Sequence, residues 1–112
     1  MHEMSVALEI GSIVARELAK RPGCRLTGLG VVVGAFSGVQ IDTLEFCLEV
    51  VMAERYDGVV CEVKPEPGTA QCLQCGRRFQ VSRAPFECPT CGMPALGVDG
   101  GDSLQVSYLE VE

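Results

Sequence analysis

Two short stretches, CLQCG and CPTCG, carry Cys72 and Cys75 and then, after twelve intervening residues, Cys88 and Cys91. Four thiolates at this spacing can converge on one ion. A closed tetrahedron of sulfurs is the donor set of structural Zn(II), with Zn–S bonds of about 2.3 Å. Gly76 and Gly92 follow the second cysteine of each pair, where the chain turns tightly and aims amides at sulfur, and glycine accepts the positive φ of such a turn. A thioredoxin-type redox dithiol needs one pair in a βαβ setting, whereas here two glycine-followed knuckles flank a short hairpin, RRFQVSRAPFE. Iron also suits four sulfurs. Zinc is the better match, because so small a hairpin does not order itself without metal and zinc requires no redox partner.

Arg77, Arg78 and Arg83 make this segment locally basic. Four thiolates around one Zn(II) carry about −2, which offsets the three arginines less Glu87, so the arginines read as local charge balance. Phe79 and Phe86 are expected to form a small core beneath the metal rather than base-stacking platforms. The other residue with ligand chemistry is His2, the single histidine of the chain. At position 2 its imidazole is within chelating reach of the Met1 amine and the amides between them. Nitrogen donors on adjacent residues close small chelate rings that suit Ni(II) or Cu(II) over Mg(II) or Ca(II).

The rest of the chain must position these groups. With 112 residues, 47% of them apolar, it can build one domain with a small module attached. A net charge of −6 and a pI near 4.7 disfavour nucleic acid and anionic membranes as partners. The longest apolar run, LGVVVGAF, is far shorter than the roughly 20 residues of a membrane span, and MHEMSVALEI lacks the basic leading region of a targeting peptide. A cytoplasmic location follows as the expectation. Seven cysteines cannot all pair, and clustered cysteines in a reducing compartment point to metal.

In residues 4–20, Met4, Ala7, Leu8, Gly11, Val14, Ala15 and Leu18 form an apolar stripe at helical spacing, ended by RPG. RLTGLGVVVGAF reads as a strand with a turn at SGVQ. Asp42 and Glu45 make a capping-box pattern for a second helix with Leu44, Cys47, Leu48 and Val51 inward. VVCEVKPEP is a strand stopped by Pro65 and Pro67, and LQVSYLEV at 104–111 is the last strand, after the glycine-rich joint GVDGGDS. Cys24 and Cys61, like Cys47, are expected to be buried as small hydrophobes. No second histidine, paired carboxylates in a cleft motif or phosphate-binding loop is present, so an enzyme lacks its parts.

Together, MHEMSVA, VGAFSGV, LEFCLEVV, the cysteine module and LQVSYLEVE occur in an order and spacing that resembles the HypA/HybF family of hydrogenase-maturation nickel metallochaperones. The resemblance implies an α+β fold, two helices packed on a small three-stranded mixed sheet, with a zinc-ribbon-like module inserted before the last strand. The expected division is an α+β nickel-binding domain at 1–69 plus 96–112 and a zinc module at 70–95. It further implies Ni(II) at Met1, His2 and Glu3, through the amine, the His2 and Glu3 backbone nitrogens and the imidazole, with Glu3 helping as a carboxylate or by favouring the helix dipole. Cys72, Cys75, Cys88 and Cys91 would hold structural Zn(II).

The implied function is a carrier rather than a catalyst, delivering nickel to a [NiFe]-hydrogenase large subunit with a maturation GTPase, as a monomer or homodimer. Urease accessory proteins are a further partner class. The main alternative is a zinc-ribbon module that binds protein or nucleic acid with His2 idle. Unlike some family members, the chain has no histidine beside its zinc cysteines, so any pH response of the module must come from the cysteines and the fold around them.

Overall fold

The computed structural model describes residues 2–95 and 97–112. Two helices, α1 (Glu3–Ala19) and α2 (Ile41–Arg55), accompany strands β1 (Leu26–Gly34), β2 (Val60–Glu66) and β6 (Leu104–Val111). The strands form a mixed sheet of order β2-β1-β6, with β1 parallel to β2 and antiparallel to β6. The parallel pair needs a crossover, which α2 supplies. Both ends of β6 are tied down: Arg25 and Glu112 exchange backbone hydrogen bonds of 2.9 Å, and the Gly34 amide donates to Ser103 at 2.7 Å.

The core lies between the helices and one face of this sheet. Leu29, Val31 and Val33 alternate inward from β1 and meet Ala7, Ile10 and Val14 of α1 and Leu44, Leu48 and Met52 of α2. The opposite face is paved rather than packed. Tyr108 lies over Gly30, where a Cβ would fall 2.0 Å from its ring, and its hydroxyl donates to Glu62 Oε1 on β2 at 3.2 Å.

The inward positions expected of α2, Leu44, Cys47, Leu48 and Val51, are all buried. Its start differs. The N-cap is Gln40, not Asp42, and no side chain of its own segment caps it; Asp42 sits in the first turn and accepts the Thr43 amide. On α1 the buried set is Val6, Ala7, Ile10, Gly11 and Val14, while Met4 and Leu8 of the expected stripe are exposed. The helix is apolar over a wide arc, and the sheet takes the side centred on Ile10 and Val14. Pro65 does not stop β2 but lies within it opposite Val33; β2 is an edge strand, so a missing donor on its free side is tolerated. Cys24 is exposed and Cys61 only half-buried, because the first precedes β1 and the second sits on that edge.

A second sheet, of order β4-β3-β5, is antiparallel and built from β3 (Gly68–Gln71), β4 (Arg78–Val81) and β5 (Val98–Asp99). The expected hairpin between the two knuckles is absent among the described residues. The first knuckle is itself the turn between β3 and β4, and the second is bracketed by an isolated bridge between Glu87 and Pro94. A small core of Ala70, Val81 and Ala95, with Phe79, Phe86 and Val98 against it, fills this unit.

The two sheets join at one end of the first, where β1 and β2 finish and β6 begins. There the Phe36 amide donates to the Gly101 carbonyl at 2.6 Å, and Phe36 meets Phe86 edge to face with centroids 5.8 Å apart. Gly101, at φ +74°, passes so close to Gly68 that a Cβ would lie 2.7 Å from its nitrogen. The molecule is accordingly long, 56 × 24 × 18 Å. Among the described residues, no helix is long and apolar enough to cross a membrane.

Candidate metal centres

The two knuckles repeat one local geometry. The Gly76 amide donates to the Cys72 carbonyl at 3.0 Å and the Gly92 amide to the Cys88 carbonyl at 2.8 Å, with φ of +78° and +72°. A second bond closes each turn, from the Cys72 amide to Arg77 and from the Cys88 amide to Met93, both 2.9 Å. Such turns leave amides pointing at the first cysteine of each pair, and the Cys75 amide lies 3.5 Å from Cys72 Sγ. Facing one another, the knuckles bring all four sulfurs within 4.8 Å. Three contacts, Cys72–Cys91, Cys75–Cys88 and Cys75–Cys91, are 3.3, 3.6 and 3.9 Å. A regular ZnS4 tetrahedron with bonds of about 2.3 Å has edges of about 3.8 Å, so the donor set and its size fit Zn(II).

Burial and charge are uneven across the four. Cys72 and Cys88 are 1% and 2% exposed, while Cys75 and Cys91 face solvent. The Cys75 amide, and then the Cys91 thiol, hold Cys72 down at about 6. The Cys91 amide likewise lowers Cys88. The Met93 amide favours the Cys91 thiolate, but the crowd of neighbouring sulfurs led by Cys72 outweighs it and pushes Cys91 up to about 12. Cys75 is raised in the same way, against the Arg77 amide, by Cys72 and Cys88. Each knuckle thus pairs one thiol with a lowered pKa and one with a raised pKa, and a divalent cation would stabilise all four in the ionised form. Arg77 spans the knuckles, its Nη1 donating to Thr90 Oγ1 at 2.6 Å.

At the other candidate centre, Met1 lies outside the described residues. His2 is exposed and is the N-cap of α1, its carbonyl accepting the Val6 amide at 3.1 Å. The Glu3 carboxylate reaches across the fold to accept the Gln40 amide at 3.0 Å. That bond, together with the Glu3 amide, lowers the Glu3 pKa. A carboxylate is at home there because the first turn of α2 presents unsatisfied N–H groups and the positive end of its dipole. The contact has no local sequence signal, since its partners are 37 residues apart.

A family model described as "Hydrogenase/urease nickel incorporation, metallochaperone, hypA" matches residues 1–111. The chain belongs to the HypA family. Among HypA relatives, it is 38% identical to the hydrogenase maturation factor HypA of Alkalilimnicola ehrlichii and 35% identical to hydrogenase maturation factor HypA 2 of Bradyrhizobium diazoefficiens, each match covering 100% of both chains. The solution structure of the Ni metallochaperone HypA from Helicobacter pylori shares the fold, with a TM-score of 0.64 at 18% identity over 98% of this chain and 97% of that one. Two helices on a small mixed sheet with a four-cysteine, zinc-ribbon-like unit is therefore the HypA architecture. The HypA family works in nickel incorporation, and this member has one four-cysteine group able to hold zinc among its described residues.

Proposed function

We propose that this chain is a nickel carrier, loading Ni(II) at its amino terminus and releasing it during maturation of a [NiFe]-hydrogenase. The ligands are the Met1 amine, the backbone nitrogens of His2 and Glu3, and the His2 imidazole. Cys72, Cys75, Cys88 and Cys91 hold a structural Zn(II). The single observation that carries this reading is the family match over residues 1–111, which spans the amino-terminal segment as well as the cysteine unit.

The surroundings of His2 support it. The imidazole sits at the exposed head of a helix, and the first N–H groups of a helix have no intrahelical acceptor, so ligation there breaks no helix bond. With its carboxylate engaged by Gln40, Glu3 contributes backbone nitrogen. Amine, amides and imidazole must shed protons to bind, so protons compete with nickel as pH falls. Cargo held at the chain terminus can be passed by ligand exchange without unfolding the domain.

The carrier is not an enzyme and works in the cytoplasm with a maturation GTPase and the hydrogenase large subunit, urease accessory proteins being a further client route. Titration of tag-free protein tests this: one Zn(II) and one Ni(II) per chain are expected, with His2→Ala losing nickel and keeping zinc. One Zn(II) with no nickel site would favour a zinc-ribbon interaction module instead.

A further inference from the structure

The face of the helical layer turned away from the sheet carries apolar side chains that the core does not use. α1 and α2 start at the same end of the sheet, as the Glu3–Gln40 bond requires, and run side by side in the same direction. They approach at Gly11, where a Cβ would lie 3.1 Å from Val51 Cγ1. Stepping back about one turn from that contact on each helix places Leu8 level with the turn that holds Phe46 and Val50. Leu8 is 56% exposed and Phe46 65%, with Met4 and Val50 each above a third. Met4 and Leu8 are four residues apart, as are Phe46 and Val50, so each pair forms a short ridge along its own helix. Two apolar ridges on neighbouring parallel helices bound a groove.

The charge around this groove has one sign. Residues 2–15 and 41–54 together hold six carboxylates, Glu3, Glu9, Asp42, Glu45, Glu49 and Glu54, and no lysine or arginine. Glu9, Asp42, Glu49 and Glu54 are exposed, and no ion pair involves any of them among the described residues. An apolar strip flanked by unpaired carboxylates repels nucleic acid and anionic membrane, and complements a helix whose apolar stripe is bordered on both sides by lysines and arginines. We infer that this groove is the docking site for a cationic amphipathic helix of a protein partner, seated on Met4, Leu8, Phe46 and Val50 with its lysines and arginines against the surrounding carboxylates. The inference does not depend on which metal the amino terminus takes. Because Met4 is two residues from His2, the docked helix lies beside the head of α1.

The test uses the full, zinc-loaded chain and a synthetic Leu/Lys peptide of about 18 residues, long enough to form a helix, with leucines at i, i+3, i+4 and i+7. A peptide of the same composition scrambled to break the stripe serves as the comparison. Titration should move the amide signals of residues 4–12 and 43–54, the scrambled peptide should bind more weakly, and the double variant Leu8→Ser/Phe46→Ser should lose at least ~10-fold in affinity with zinc content unchanged. If that variant folds poorly, the reversal Asp42→Lys/Glu49→Lys should weaken the same peptide by a similar factor. Signals moving elsewhere, equal binding of the scrambled peptide, or unchanged affinity in the variants would overturn the proposal. So would a dimer in sedimentation that Leu8→Ser/Phe46→Ser abolishes, since the occupant would then be a second copy.

Discussion

The Gln40 amide donates to the Glu3 carboxylate at 3.0 Å, so the first turn of α1 caps the start of α2. α2 has no cap from its own segment, and this bond fixes the two helix heads relative to each other. Removing the carboxylate in Glu3→Ala should speed hydrogen exchange at Gln40 and in the first turn of α2, with a smaller effect for Glu3→Gln, which keeps an acceptor. The sign with pH follows from the lowered Glu3 pKa. The stabilisation is fully present above the ordinary carboxylate range and is lost as pH falls through the depressed value. A Glu3 carboxyl signal that titrates at or above that range in NMR would contradict the contact.

The cysteine unit should depend on its metal. Among the described residues its apolar core is Ala70, Val81 and Ala95 with partial help from Phe79, Phe86 and Val98, a small cluster for which the metal supplies the missing order. Cys88→Ala, or exhaustive chelation, is expected to collapse the amide dispersion of residues 68–99 while signals from the β2-β1-β6 sheet and its helices persist. Chelation that leaves the dispersion of the second sheet intact would refute a structural role for zinc.

Loading that site should release protons. Cys91 is raised to about 12 and Cys75 is raised as well, so both carry protons at neutral pH, while Cys72, lowered to about 6, is already ionised. Zn(II) binding at pH 7 is therefore expected to liberate at least these two protons per chain, and affinity should fall as pH drops because protons compete for the same sulfurs. Calorimetry in buffers of different ionisation enthalpy measures the number directly; a value near zero would mean that the four thiols are not the ligands.

Gly30 is irreplaceable for a steric reason that can be undone. Gly30→Ala would place a methyl 2.0 Å from the Tyr108 ring and break the Tyr108–Glu62 bond, at a cost of about 1–3 kcal/mol. Combining it with Tyr108→Ala should recover part of that loss in denaturant melts. Strictly additive effects would show that the ring does not need the space.

Legibility in the sequence followed the range of each interaction. The knuckles could be read off directly because CxxC followed by glycine encodes a local turn, and the inward face of α2 because Leu44, Cys47, Leu48 and Val51 recur at helical spacing, even though Phe46 and Val50 leave apolar residues on its other face. On α1, Met4 and Leu8 compete with Val6 and Ile10 for the inward side beside Ala7, Gly11 and Val14, and only the position of the sheet decides between them. The pairing of β3 with β4 around the first knuckle, the tolerance of Pro65 on an edge and the Glu3–Gln40 bond all depend on neighbours distant in sequence. Cys24 is exposed, against the expectation from its type, because apolar character alone does not bury a residue that lies just before a strand begins.

The close passage of Gly101 over Gly68 gives the cysteine unit the form of a cassette whose two ends adjoin. The chain leaves the first sheet and returns to it at nearly the same point, so excising residues 68–101 would leave stubs that a linker of about two to four residues, an ordinary hairpin-loop length, can rejoin. Neither β2 nor β6 would need to move. The same stem could accept an unrelated insert with neighbouring termini, making this the natural splice site for grafting a reporter onto the fold or for moving the cysteine unit to another scaffold.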